Sequence, residues 1–179
     1  MEIQGLQALY AGHKSVKALV KALQDGSART IFGEGLCASA APLLFSSVAA
    51  ACPQVMACPY VFVLDDAEEA GYFYHDLTQI LGEQEVFYFP SSFRRAVKFG
   101  QRDAANEILR TEVISRLSAG HRPLFVVTYP EAVREKVVSR QKLDEQTLRL
   151  RAGERVDITF VEETLRAFGF RRVDYVYEP

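Results

Sequence analysis

Between Arg29 and Asp65 the chain carries one charged residue, Glu34. A run this poor in charge belongs in a core, and its internal punctuation predicts how it is folded. Thr30-Ile31-Phe32 reads as a short apolar strand, and Gly33-Glu34-Gly35 as a tight turn. An Ala/Ser-rich helix then runs from about Ser39 to Ala51, with Pro42 in its first turn, where the missing N–H costs nothing. After Cys52-Pro53 a second strand follows, Tyr60-Val61-Phe62-Val63-Leu64. Strand, glycine turn and helix in that order form the place where α/β proteins hold phosphates, on the free N–H groups of the helix N-terminus.

The remaining chain bounds what this unit can serve. At 179 residues, 49% of them hydrophobic, there is enough material for one medium domain with a packed core plus a smaller piece. Net charge of −2 gives no bulk attraction for nucleic acid or an anionic membrane, so any such contact is local. Cys37, Cys52 and Cys58 lie in apolar sequence without a CxxC pair or a nearby histidine, which predicts reduced thiols, no metal site and a cytoplasmic location. The first residues lack the basic and apolar regions of a signal peptide. The apolar run from Leu36 is broken by Pro42, Ser46, Ser47 and Pro53, too short to span a bilayer, so no membrane partner is expected.

Apolar periodicity predicts two short helices through Ile3, Leu6, Leu9 and Tyr10 and then Val16, Leu19, Val20 and Leu23, ending at Gly26 and covering one edge of the sheet. Asp65 or Asp66 caps the next helix, with Glu68 and Glu69 in its first turn, Ala70, Phe73, Tyr74, Leu77 and Leu81 on one face, and Gly82 as its stop. Residues 85–89 form a third strand, and a helix over 103–119 buries Ala105, Ile108, Leu109 and Leu117 before a fourth strand at 124–128. Pro130 opens a helix to about Val138. Strands alternating with helices at this spacing predict an α/β fold with a mainly parallel sheet flanked by helices.

Charge becomes denser toward the C-terminus: residues 131–179 hold ten basic and ten acidic side chains, against eleven and thirteen in the rest. Leu148 and Leu150 alternate with Thr147, Arg149 and Arg151 as a half-wet strand. Thr159-Phe160-Val161-Glu162 reads as a capping box for a helix stopped by Gly169, and residues 171–177 as a last strand. One helix on two strands buries little, so a domain over 1–140 is followed by the start of a small, incomplete α+β domain over 141–179.

The candidate chemistry thins out residue by residue. A phosphate-gripping loop of the GxxxxGK[ST] type needs a lysine to neutralise phosphate and a hydroxyl to hold Mg²⁺. Gly33, Gly35, Cys37 and Ser39 mark that position, but no lysine or arginine occurs between Arg29 and Asp65, and Glu34 repels a triphosphate. Ala38 occupies the third glycine position of a dinucleotide fingerprint. Cys37 as a nucleophile requires a base, and none of His13, His75 and His121 lies in a motif that supplies one, so a small buried cysteine is the expectation. Asp65-Asp66 reads as a cap rather than a metal pair, and His75 as an edge or solvated residue. Arg94, Arg95 and Lys98, interleaved with Phe93 and Phe99, are possible single-strand nucleic-acid contacts on a loop over 91–102. A stand-alone nucleotide-binding enzyme remains the alternative that a ligand at the glycine turn would support.

The order of these elements, with Arg110-Thr111-Glu112-Val113-Ile114-Ser115-Arg116-Leu117 before Val126-Val127-Thr128 and the tail Gly153-Glu154-Arg155 through Phe168-Gly169-Phe170-Arg171-Arg172-Val173-Asp174-Tyr175-Val176, resembles a family. The chain is similar over nearly its full length to the N-terminal UvrB-homology region of the bacterial transcription-repair coupling factors (Mfd). That resemblance implies a degenerate P-loop domain followed by the start of a UvrA-binding domain, with no catalysis and no cofactor in this chain. In the family, ATP and Mg²⁺ serve a motor elsewhere in a longer protein, which also meets RNA polymerase and DNA. It implies a role in recruiting UvrA for nucleotide excision repair and in restraining the motor. Arg171, Arg172, Tyr175 and Tyr177 become the candidate partner surface, and the family's main UvrA-contacting strand would come after Pro179. The segment Ser91-Ser92-Phe93-Arg94-Arg95 departs from the Trp- and Pro-containing segment of many members.

Overall fold

The computed structural model of the protein describes residues 3–26, 28–52, 57–93, 103–120 and 123–174. The chain divides into two compact units, Met1–Lys136 and Val137–Pro179.

The first unit is mixed α/β. Its elements are α1 (Ile3–Gly12), α2 (Lys14–Asp25), α3 (Ala40–Ala51), β1 (Tyr60–Val63), α4 (Ala67–Leu81), β2 (Val86–Phe89), α5 (Ala104–Ala119), β3 (Phe125–Thr128) and α6 (Pro130–Arg134). The three strands make one parallel sheet in the order β1-β3-β2, with Tyr60 and Val86 both in register with Phe125. Central β3 is buried at all four positions, as its Phe-Val-Val-Thr sequence requires of a strand covered on both faces. On one face Phe62 meets Phe45 of α3 and Phe73 of α4, each with ring centroids 5.0 Å apart. Phe87 and Phe89 of β2 point to the other face, where α5 places Arg116 and Arg110 over their rings.

Local sequence explains the best-formed helix. Asp66 accepts from the N–H groups of Glu68 and Glu69 at 2.8 and 3.0 Å, so α4 starts where the acidic first turn suits the helix dipole. Ala70, Phe73 and Leu77 are its buried face, and Gly82 closes it. Asp103 and Gly120 bracket α5 in the same way.

Several expectations are corrected. Residues 30–32 form no strand, and Phe32 is 86% exposed. Three β-prone residues beside a glycine turn have too few ladder bonds to hold a strand without a neighbour that pairs with them. Helices α1 and α2 pack on α3 instead of covering a sheet edge, with Ser47 Oγ of α3 lying 3.2 Å from Gln7 O of α1. Helix α5 buries Arg110 and Val113, while Ile108 is 60% exposed. Helix α6 ends at Arg134, four residues short of the expected Val138.

In the second unit α7 (Arg140–Glu145) is a helix that apolar periodicity did not reveal, capped by Ser139. The N-cap of α8 (Ile158–Ala167) is Asp157, two residues before the expected Thr159, because Asp157 accepts from the Thr159 N–H at 2.9 Å. Neither 147–151 nor the described residues 171–174 are strands; residues 175–177 lie outside the described residues. No described residue of this unit is buried.

Candidate functional site

At the glycine turn the backbone is committed before any ligand arrives. Gly35 takes φ +81°, and Ala38, against the usual preference of an L-residue, takes φ +46°. The chain thereby reverses into α3, and the Ala40 N–H is spent on Cys37 O at 3.0 Å. Pro42 has no N–H to offer, so the first turn of α3 retains little of the donor set that cradles a phosphate. Ser39 does not cap the helix with its side chain; its Oγ donates to Asp76 Oδ2 of α4 at 2.6 Å. A Cβ at Gly33 would meet only the Leu36 side chain, and Cys37 is exposed, not buried, with its thiol 3.7 Å from Gly35 O.

Between this segment and α4 lies an open groove of about 570 Å³. Its floor and one wall are apolar, from Leu36, Ala41, Pro42 and Leu64, and the α4 wall presents Glu69, Tyr72, Phe73 and Asp76. Those four α4 residues fall at i, i+3, i+4 and i+7, one stripe of the helix. The sequence contains that spacing, but the buried partners Phe73 and Leu77 dominate its reading and hide the second, wetter stripe.

A second constellation sits where the strands end. Arg110, 7% exposed, donates from Nη1 to Pro90 O at 2.7 Å and to Ala132 O at 3.1 Å. Glu135 Oε2 lies 3.6 Å from it, and the Arg110 guanidinium carbon sits 4.1 Å above the Phe89 ring. Glu135 also accepts from Ser91 Oγ and from the Ser92 N–H, while the Ser91 N–H donates to the Tyr129 hydroxyl at 2.8 Å and Asn106 donates to Ser91 O at 2.8 Å. Burial pushes the Glu135 carboxyl up, but the Ser91 and Ser92 hydrogen bonds and the Arg110 charge together outweigh it and hold it below the ordinary value. Burial lowers Arg110 more than Glu135, Tyr129 and Glu107 raise it. This cluster ties the exits of β2 and α6 to α5, and within it the buried Arg110 Nη2 has no hydrogen-bond partner among the described residues.

The two described histidines lie on different elements. His13 caps α2, accepting from the Ser15 N–H at 3.3 Å, His75 is exposed on α4, and His121 lies outside the described residues. Among the described residues no three His, Cys, Asp or Glu side chains converge as metal ligands, and no helix is long and apolar enough to cross a membrane.

In the second unit α8 and the segment after it leave Ile158, Phe160, Phe170 and Val173 exposed. Arg171 and Arg172 are exposed beside them, and Arg172 Nη1 lies 3.2 Å from Glu162 Oε1. Tyr175, Tyr177, Arg94, Arg95 and Lys98 lie outside the described residues.

The fold and these sites define a mixed α/β protein with a small parallel sheet and helices on both of its faces. Comparison of the chain with protein-family models, with curated proteins and with solved structures gives no match.

Proposed function

We propose that this chain is a non-catalytic interaction module of the kind found at the N-terminus of bacterial transcription-repair coupling factors, helping to recruit UvrA in nucleotide excision repair. In a longer protein it would also pack against the motor and restrain it. The observation that carries the reading is the second unit, which has no buried described residue and displays Ile158, Phe160, Phe170 and Val173 next to Arg171 and Arg172. Apolar side chains left uncovered in such number mark a surface that is completed by contact with another protein, and exposed arginines give it orientation. The α/β unit supports the same reading from the other side, because carboxylates line the place where a nucleotide-binding unit would put its phosphates. Residue order and spacing supply the link to the coupling factors.

Capture on immobilised UvrA tests the proposal. The wild-type chain should be retained, and Arg171→Glu/Arg172→Glu should be retained about tenfold more weakly. Equal retention of both, or of neither, contradicts it.

A further inference from the structure

The groove between residues 36–42 and α4 has a chemistry of its own, independent of the UvrA reading. Its lining contains no lysine or arginine, and none occurs anywhere from residue 30 to residue 93. Glu69 is exposed, and Asp76 is held in place by the Ser39 hydroxyl, which occupies Oδ2 and leaves Oδ1 open. Seven residues of helix place the Glu69 and Asp76 backbone positions about 10 Å apart along the axis. Between them stand the rings of Tyr72, 68% exposed, and Phe73, opposite the apolar wall of Leu36, Ala41 and Pro42.

We infer that this groove receives an extended segment of a partner protein carrying two basic side chains about three residues apart with an apolar residue between them. In the polyproline II conformation three residues make one turn and advance about 9 Å, which puts both basic side chains on the same face at close to the ~10 Å helical rise between Glu69 and Asp76. Each cation would then meet one carboxylate, with the Tyr72 ring open for cation–π contact and the apolar side chain lying against Leu36 and Pro42. A small amine would engage one carboxylate and leave the other unmatched. A nucleic acid would bring phosphates against both.

Fluorescence anisotropy of the full chain with labelled Gly-Ser-Arg-Ser-Leu-Arg-Ser-Gly, and with the same peptide bearing Glu for both Arg, tests the inference. The basic peptide binds in low salt and weakens as salt rises; the acidic one does not bind. Glu69→Gln/Asp76→Asn weakens the basic peptide about tenfold, whereas Glu163→Gln on α8 leaves it unchanged. Tyr72→Ala, which keeps every carboxylate and removes only an exposed ring, also weakens it. Equal binding of the two peptides, binding of neither, or binding of the basic peptide that survives all of the groove substitutions overturns the proposal.

Discussion

Arg110 on α5 and Glu135 at the end of α6 face each other across 3.6 Å inside the α/β unit, and each is bonded to the turn that leaves β2. Arg110 grips Pro90 O, Glu135 grips Ser91 and Ser92, and the pair therefore fixes how the chain exits the sheet.

Removing one partner strands the other in a largely buried site. Glu135→Leu or Arg110→Met should each cost about 3 kcal/mol in urea unfolding, in line with breaking a buried pair. Arg110→Lys should recover only part of the loss, because an ammonium can bond the carbonyls that Nη1 holds but cannot lay a planar guanidinium over the Phe89 ring. Equal stability of the lysine variant and the wild type would mean that charge alone holds the cluster.

The depressed Glu135 carboxyl sets the pH behaviour. Its contribution is present above the unfolded value, about 4.3, and is lost as pH falls through its lower folded value. Unfolding midpoints of wild type and Glu135→Gln should therefore differ most near neutrality and converge as pH is lowered below about 4. A gap that stays constant or widens toward acid contradicts that sign.

Burial on the helices can be read by truncation. Leu77 on α4 is fully buried and Leu77→Ala should cost about 3 kcal/mol, while Ile108→Ala on α5 should fall within about 0.5 kcal/mol of wild type. Reversal of that order would restore the apolar face that the α5 sequence suggests.

What was legible in the chain follows from how local the determinants are. The span of α4 was readable because Asp66, Phe73, Leu77 and Gly82 all act within one helix. The strands at 60–63, 86–89 and 125–128 were readable because each is a compact β-branched or aromatic run bounded by turn residues. Arg110 was not, because an arginine breaks the apolar pattern and its partner lies 25 positions away, as residue numbers 110 and 135 show. Residues 30–32 stay outside the sheet for a related reason: local β propensity predicts a strand, but pairing is decided by the rest of the sheet. The groove was hidden because Glu69 and Asp76 become neighbours of residues 36–42 only after α4 packs beside α3.

Thiol chemistry separates the three cysteines. Cys37 and Cys58 are exposed and should react with Ellman's reagent in the native protein, while buried Cys52, which accepts from the Gln24 amide, should react only on unfolding. Release of all three equivalents at the native rate would contradict the packing of the α3 C-terminus.

The most direct test of the proposed role is biolayer interferometry of the chain against immobilised UvrA, comparing wild type with Phe160→Ser/Phe170→Ser. Both phenylalanines are exposed, so the double variant should keep the wild-type unfolding midpoint. The account predicts saturable binding by the wild type and binding at least about tenfold weaker by the variant. Absence of wild-type binding, or equal binding by both, contradicts it.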